Sequence, residues 1–215
     1  MVELVTSGAP LARARAAAIM VHGRGSSAED ILSLGEEFGF DDVVYVAPQA
    51  ANHAWYPYSF LAPFAQNEPD LSQSLATLGE TIEHCARNGL PAERVALIGF
   101  SQGGCLALEY AARNAKRYGA VAGLSAGLIG PPGTPRNYPG SLAGTPVFLG
   151  CSDVDAHIPL ARVHETRDVL TNLGAAVTER IYPGMGHTVN DDEVRAVRTL
   201  LDHLVDGDKN PPREA

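Results

Sequence analysis

The chain has 215 residues, of which 45% are hydrophobic and 19% are charged, as is typical of one globular domain with a sizeable core. Its formal net charge of −9 argues against a broad basic surface for nucleic acid or an anionic membrane. No apolar run approaches the roughly 20 residues that cross a bilayer, and residues 1–15 lack the pattern of a signal peptide. We therefore expect a cytoplasmic protein without a membrane anchor and without a nucleic-acid partner.

Apolar stretches alternate with helical patterns along the chain, which is typical of βαβ units and a parallel sheet. In chain order we predict an edge strand at 2–5, a strand at 16–21, a helix capped by Ser27 and ending near 38, a strand at 43–47, an irregular segment at 48–69, a helix at 71–88 capped by Asp70, a strand at 94–99, a helix at 102–116, a strand at 119–125, a long surface loop at 127–145, a strand at 146–151, a helix at 160–173, a strand at 176–182 and a helix at 190–205. Residues 1–206 then form one domain and residues 207–215 a polar tail. The pattern predicts a mostly parallel, doubly wound sheet whose ligand crevice lies beyond the carboxyl ends of the strands.

The three cysteines give no sign of a metal or redox site. Cys85, Cys105 and Cys151 form no C-x-x-C pair and lie in apolar stretches, so buried free thiols in a reducing compartment are expected. No His or Cys pair has zinc-type spacing, and His157 and His164 are interpreted as solvated side chains beside a helix. We expect neither a metal nor a cofactor.

One strand-to-helix junction carries the clearest chemical signal. Gly99-Phe100-Ser101-Gln102-Gly103-Gly104 follows an apolar run and precedes a helical stretch. A serine between two glycines at such a junction is typical of a nucleophile elbow, where a strained backbone exposes the hydroxyl and a Cβ at either glycine would collide with its neighbours. The pattern alone is weak, but its context predicts Ser101 as a nucleophile.

A nucleophilic serine needs a base, and the base needs an acid to orient it. The chain order Ser, Asp, His is the one that α/β-hydrolases use. His187 is the candidate base because it lies in a glycine-containing loop between the last strand and the last helix. The acid is Asp153 or Asp155, and strand alternation does not separate the two.

Four motifs resemble those of the carboxylesterase, acyl-protein thioesterase and lysophospholipase family of small α/β-hydrolases. They fall in the family's order within residues 16–205 and are His22-Gly23-Arg24-Gly25, the elbow at 99–104, the loop from Thr145-Pro146 to Pro159, and Tyr182-Pro183-Gly184-Met185-Gly186-His187. The resemblance implies a single-domain α/β-hydrolase fold, and the shortness of the chain leaves no room for an inserted lid domain. It also implies Asp155 as the acid, from its spacing to Pro159, although Ala156 stands where the family usually has proline.

The resemblance implies an oxyanion hole made by the backbone N–H groups of Arg24 and Gln102, whose side chains are not expected to matter. His22 is expected to shape its loop through hydrogen bonds. The aromatic segment 53–64 does not match the family residue by residue. We predict that its Trp55, Tyr56 and Tyr58 line a substrate pocket, with a surface loop or a dimer contact as the alternative.

Together these features predict a serine hydrolase that cleaves small-molecule carboxylic esters or thioesters through an acyl-Ser101 intermediate. The oligomeric state is not determined by these features, and a homodimer is one possibility. The alternatives are lysophospholipase activity, lactone cleavage as in dienelactone hydrolases, and a non-catalytic relative that only binds ligand. Dienelactone hydrolases carry cysteine at the elbow, so Ser101 argues against the second, and the intact Ser101, Asp155 and His187 argue against the third.

Overall fold

The computed structural model describes residues 3–206, so Val2 of the predicted edge strand and the predicted tail 207–215 lie outside the described residues. The described elements, in chain order, are β1 (Leu4–Gly8), β2 (Ala16–Val21), α1 (Ala28–Phe38), β3 (Val43–Pro48), α2 (Phe64–Asn67), α3 (Asp70–Arg87), β4 (Val95–Phe100), α4 (Gln102–Arg113), β5 (Ala120–Leu124), β6 (Pro146–Ser152), α5 (Leu160–Asn172), β7 (Ala176–Tyr182) and α6 (Asp191–Asp206).

The strands form one sheet in the order β1-β3-β2-β4-β5-β6-β7. Strand β1 pairs antiparallel with β3, and the other neighbours are parallel. Helices α3, α4 and α5 cover one face of the sheet, and α1 and α6 cover the other. Burial on both faces explains why β2 and β4 are near-continuous apolar runs rather than alternating ones. The predicted mostly parallel, doubly wound sheet of a single-domain α/β fold is confirmed.

Two predicted helix caps have different outcomes. The Ser27 side chain accepts a hydrogen bond from the Asp30 N–H, and the Asp30 carboxylate accepts one from the Ser27 N–H, which confirms the cap of α1. Asp70 is not the cap of α3 but its first residue. The Glu68 carboxylate instead accepts a hydrogen bond of 3.1 Å from the Ser72 N–H in the first turn.

The predicted loop 127–145 is buried where it leaves the sheet. Residues 126–130 are buried, so their backbone groups need partners within the protein. The Ile129 N–H donates to the buried Glu109 carboxylate, and Arg162 donates to the carbonyls of Leu128 and Gly130. Because these partners come from α4 and α5, the sequence of the loop gives no sign of its burial.

Other differences lie at the ends of elements. The edge strand runs from Leu4 to Gly8 instead of 2–5, the helix after the elbow ends at Arg113 instead of 116, and the segment predicted to be irregular contains the short helix α2. Among the described residues, no helix combines the length and apolar character that crossing a membrane requires.

The first turn of α6 contains a buried carboxyl group. The Asn190 side chain accepts hydrogen bonds from the N–H groups of Asp192 and Glu193, and the Glu193 carboxylate accepts one from the Asn190 N–H. Glu193 is fully buried and packs so closely on Gly150 of β6 that a Cβ there would overlap the carboxyl group. Burial raises the pKa of Glu193 from 4.5 to about 7, against the lowering effect of the Asn190 hydrogen bond.

We expect Glu193→Gln to remove a pH dependence of stability. The folded protein holds the Glu193 proton more tightly than the unfolded chain does, so the free energy of unfolding falls as pH rises between 4.5 and about 7. A pKa difference of this size corresponds to about 3 kcal/mol. Urea unfolding at pH 5 and pH 8 measures this difference. Between these two pH values the free energy of unfolding of wild type should fall by about 3 kcal/mol relative to that of Glu193→Gln. A difference that does not change with pH would contradict the prediction.

Candidate active site

Ser101 lies at a sharp turn between β4 and α4. Its backbone angles, φ 54° and ψ −122°, are unfavourable for a residue with a side chain and are maintained by the surrounding packing. An added Cβ at Gly99 would lie 2.5 Å from backbone atoms of Gly103, and one at Gly103 would overlap the carbonyl oxygens of Val21, the last residue of β2, and of His22 in the loop that follows. Both glycines are therefore required by the close approach of helix, strand and loop at this turn.

Three loops at the carboxyl edge of the sheet bring Ser101, His187 and Asp155 together. The Ser101 Oγ lies 2.8 Å from the His187 Nε2, and the His187 Nδ1 lies 2.7 Å from the Asp155 Oδ2. These loops follow β4, β7 and β6, whose carboxyl ends meet at the same edge because the strands are parallel. The Asp155 side chain is fully buried, whereas that of His187 is 19% exposed, so the chain of hydrogen bonds is closed to solvent at its carboxylate end.

The two candidate acids make different contacts. The Asp155 Oδ1 accepts hydrogen bonds from the N–H groups of His157 and Ile158, at 2.8 and 3.0 Å. Burial on its own would raise the pKa of Asp155, but the hydrogen bonds from His187 and these two N–H groups outweigh it and hold that pKa below its usual range. The Asp153 carboxylate instead accepts a bond of 2.8 Å from the Gly184 N–H and fastens the loop before His187.

The loop after β2 lies beside Ser101, since an added Cβ on Gly23 would be 3.5 Å from the serine Cβ. The backbone N–H groups of Arg24 and Gln102 donate no hydrogen bond to any other group within residues 3–206. Gln102 is the first residue of α4, where an N–H has no acceptor within the helix. Both donors are therefore free to bind an oxygen atom beside Ser101.

His22 is buried behind this loop. Its Nδ1 lies 2.8 Å from the Gly23 oxygen, and its Nε2 accepts a hydrogen bond from the Ala50 N–H. Burial lowers the pKa of His22, with the Gly23 hydrogen bond acting in the opposite direction. The neutral ring satisfies both contacts, as expected for a residue that shapes the loop.

A cavity of about 570 Å³ opens in front of Ser101. The lining is apolar at Tyr56, Phe60 and Ile158, and its further members are Arg24, Pro57, Tyr58, Ser59, Ser101, Gln102, Cys105, His157 and His187. Of the predicted pocket residues, the structure places buried Tyr56 and the 57% exposed Tyr58 in this lining. Trp55 does not line this cavity.

The His157 and His164 side chains are partly exposed to solvent, as expected from the sequence, but each also has a partner that the sequence did not indicate. His157 is not simply solvated: its ring packs edge-on against His187, with 4.8 Å between ring centroids, and it lines the cavity. The His164 Nδ1 lies 2.9 Å from the Glu179 carboxylate on β7. The position of His157, two residues after the candidate acid Asp155, could have indicated this contact. A loop whose acid binds the base must bring its next residues close to the base as well.

The chain is similar to known proteins over most of its length. Residues 5–205 match the phospholipase/carboxylesterase family. The chain belongs to this family. A phospholipase/carboxylesterase from Dyadobacter fermentans is 43% identical, with a TM-score of 0.90 over 94% of this chain and 96% of that one. Acyl-protein thioesterase 1 from Neurospora crassa is 26% identical, over 89% of this chain and 87% of the relative. The carboxylesterase of Bacillus cereus, at 20% identity and a TM-score of 0.76 over 95% of both chains, shares the fold.

As a member of the phospholipase/carboxylesterase family, the protein is a hydrolase of the esterase or thioesterase type that acts on ester substrates. Its three cysteines are buried free thiols, as expected. Burial raises the pKa of Cys85 to about 11 and those of Cys105 and Cys151 to about 12, so none is a nucleophile at neutral pH. Within residues 3–206, no three His, Cys, Asp or Glu side chains converge as metal ligands.

We expect Trp55→Ala to destabilise this family member by about 3–5 kcal/mol rather than to change acyl selectivity directly. Trp55 is 2% exposed, belongs to the core and donates its indole N–H to the His22 carbonyl at 2.8 Å. Urea unfolding checks the loss of stability, and Tyr58→Ala serves as the exposed control with a change within about 0.5 kcal/mol. An equally stable Trp55→Ala protein would show that the side chain is not part of the core.

Proposed function

We propose that the protein is a serine hydrolase that cleaves carboxylic esters and thioesters through an acyl-Ser101 intermediate. One observation carries the proposal: Ser101 Oγ, His187 and Asp155 form a continuous chain of hydrogen bonds of 2.8 and 2.7 Å. A hydroxyl in contact with an imidazole that a buried carboxylate orients is the arrangement that turns serine into a nucleophile.

In the proposed reaction, the Ser101 Oγ attacks the acyl carbonyl while its proton passes to the His187 Nε2. Asp155 keeps the His187 Nδ1–H directed towards itself and stabilises the imidazolium that forms. The imidazolium then gives the proton to the leaving oxygen or sulfur as the bond to the acyl carbon breaks. Water, activated by the same histidine, attacks the acyl-serine, and the acid product and free Ser101 result.

The backbone N–H groups of Arg24 and Gln102 are the proposed donors to the oxyanion. Both are free of acceptors within the described residues and flank Ser101. The positive end of the α4 dipole adds to the stabilisation of the negative oxygen. Removal of one such donor typically costs on the order of 100- to 1000-fold in rate.

The cavity in front of Ser101 is the proposed site of the acyl group. Its apolar side, formed by Tyr56, Phe60 and Ile158, suits a hydrocarbon chain, and no cofactor is needed. The leaving group stays open between oxygen and sulfur, and lysophospholipase activity is kept as a candidate on the family match. A cytoplasmic location and a homodimer remain predictions.

Labelling with a fluorophosphonate probe tests the proposal, because such a probe reacts with an activated serine. Mass spectrometry should find the label on Ser101, and the labelling rate should fall when His187 is replaced by alanine. A panel of p-nitrophenyl esters, an acyl-CoA and a lysophospholipid then defines the substrate. Wild-type protein that neither reacts with the probe nor hydrolyses any of these compounds would make it a ligand-binding relative instead.

A further inference from the structure

Residues 56–60 line one wall of the cavity and, together with Trp55, form a segment without helix or strand that is called the strap below. A wall of this kind depends on side chains from other elements to fix its backbone. The amide of Asn67 holds its far end, accepting from the Tyr58 N–H at 2.8 Å and donating to the Ser59 carbonyl at 2.9 Å. Arg24 and Gln102 hold the end nearest Ser101.

The Arg24 guanidinium group binds three consecutive carbonyls of the strap. Its Nη1 donates to the Pro57 oxygen at 2.9 Å, and its Nη2 donates to the oxygens of Tyr56 and Tyr58 at 2.8 and 2.7 Å. Several donors in a rigid planar fork make this possible, and a lysine ammonium, whose three donors radiate from one nitrogen atom, cannot reproduce it. The side chain thus determines the path of the strap past the nucleophile.

Gln102 makes the matching contacts from α4. Its Oε1 accepts from the Trp55 N–H at 3.0 Å, and its Nε2 donates to the Tyr56 carbonyl at 2.8 Å. The two residues whose N–H groups are the proposed oxyanion donors therefore also hold the cavity wall with their side chains. The position of the cavity wall is therefore linked to the position of the proposed oxyanion donors through the same two residues.

We propose that the Arg24 side chain is a positioning residue that sets acyl-chain selectivity by fixing the strap as the wall of the acyl cavity. The inference rests on the function proposed above, since it concerns the acyl group bound in front of Ser101. It separates two roles of one residue: the backbone N–H acts on the oxyanion, and the guanidinium acts on the shape of the cavity.

The loop that carries the Arg24 N–H has its own supports, which do not involve the guanidinium. The Gly25 N–H donates to the His53 carbonyl at 2.7 Å, the Ser26 N–H donates to the Gly23 carbonyl at 3.2 Å, and His22 contacts the same carbonyl. Truncation of the Arg24 side chain therefore leaves the N–H in place. Hydrolysis of hexanoyl esters should therefore lose more than hydrolysis of acetyl esters, because an acetyl group does not reach along the wall.

The test compares Arg24→Ala, Arg24→Lys and wild type on p-nitrophenyl acetate, butyrate, hexanoate and octanoate. For Arg24→Ala we expect the ratio of kcat/KM on hexanoate to kcat/KM on acetate to fall roughly tenfold or more below that of wild type, mainly through a higher KM on hexanoate. Arg24→Lys should lower the same ratio by a smaller factor. Millimolar guanidinium ion should partly restore hexanoate turnover in Arg24→Ala. If the alanine variant does not fold, the lysine variant carries the comparison.

Trp55 supplies a readout independent of activity, because it is the single tryptophan of the chain and begins the strap. Acrylamide should quench its fluorescence more strongly in Arg24→Ala than in wild type. Arg167→Ala is the matched control: that arginine also donates to two partners, Asp168 and Glu179, but away from the cavity. It should change neither quenching nor selectivity.

Fluorophosphonate labelling separates the two proposals. If Ser101 is labelled in wild type and in Arg24→Ala, and hexanoate and acetate turnover fall equally or not at all, the inference on Arg24 is wrong while the proposed function stands. If wild-type Ser101 is not labelled and no ester is hydrolysed, the proposed function fails and the inference fails with it.

Discussion

Ser101→Ala should abolish ester hydrolysis, with a loss in kcat of at least about 10,000-fold, and leave the fold unchanged. The hydroxyl is the only group removed, and its Oγ is the proposed nucleophile, 2.8 Å from the His187 Nε2. The backbone at this position is strained, with φ at 54°, and alanine adopts it no worse than serine does. Stability should therefore be retained or slightly increased.

Steady-state kinetics on p-nitrophenyl acetate, together with urea unfolding, measures both parts of this expectation. Gly99→Ala offers a contrast in the same turn: it keeps the hydroxyl, but its Cβ would meet the backbone of Gly103, so it should lose stability as well as activity. Turnover by Ser101→Ala close to that of wild type would overturn the assignment of the nucleophile.

Asp155→Asn should lower kcat by roughly 10,000-fold with little change in KM. An asparagine amide at this site presents a donor to the His187 Nδ1, so the imidazole takes the tautomer that carries its proton on Nε2 and cannot accept the Ser101 proton. The contact concerned is the 2.7 Å bond from His187 to the Asp155 Oδ2. The backbone bonds from His157 and Ile158 can persist on the asparagine oxygen, so the loop should stay folded.

Asp153→Asn is the matched control for this effect. The same chemical change two residues earlier touches only the Gly184 N–H, which the asparagine oxygen can still accept. Its kcat should stay within about threefold of wild type. If Asp153→Asn were the crippled variant and Asp155→Asn were active, the acid would be Asp153 and the proposed triad would be incorrect.

The sheet could be predicted because parallel strands buried on both faces are apolar runs, and β2, β4 and β6 are such runs between helical patterns. The elbow could be predicted for a similar reason. The turn at Ser101 tolerates only glycine at two nearby positions, and this steric requirement can be recognised in the amino-acid sequence. Element ends were less accurate, as at Asp70, where a cap depends on which neighbouring carboxylate reaches the free N–H groups.

The choice between Asp153 and Asp155 shows where local reasoning stops. Both carboxylates follow the same strand, and their different contacts arise from how the loop folds against His187 and Gly184, more than 25 residues away in the chain. The aromatic segment shows the same limit. Composition indicated a pocket wall, yet Trp55 is buried in the core while Tyr56 and Tyr58 line the cavity.

Spacing and residue type, read along the chain, were therefore sufficient to predict the fold class and to propose the reacting groups, since both follow from short-range steric and hydrophobic rules. The strap and the roles of the Arg24 and Gln102 side chains required the folded chain. Their partners are backbone carbonyls and N–H groups 30 or more residues away, and backbone groups leave no trace in the sequence. Contacts of that kind arise only when the loops after β2, β3 and β4 meet at one edge of the sheet.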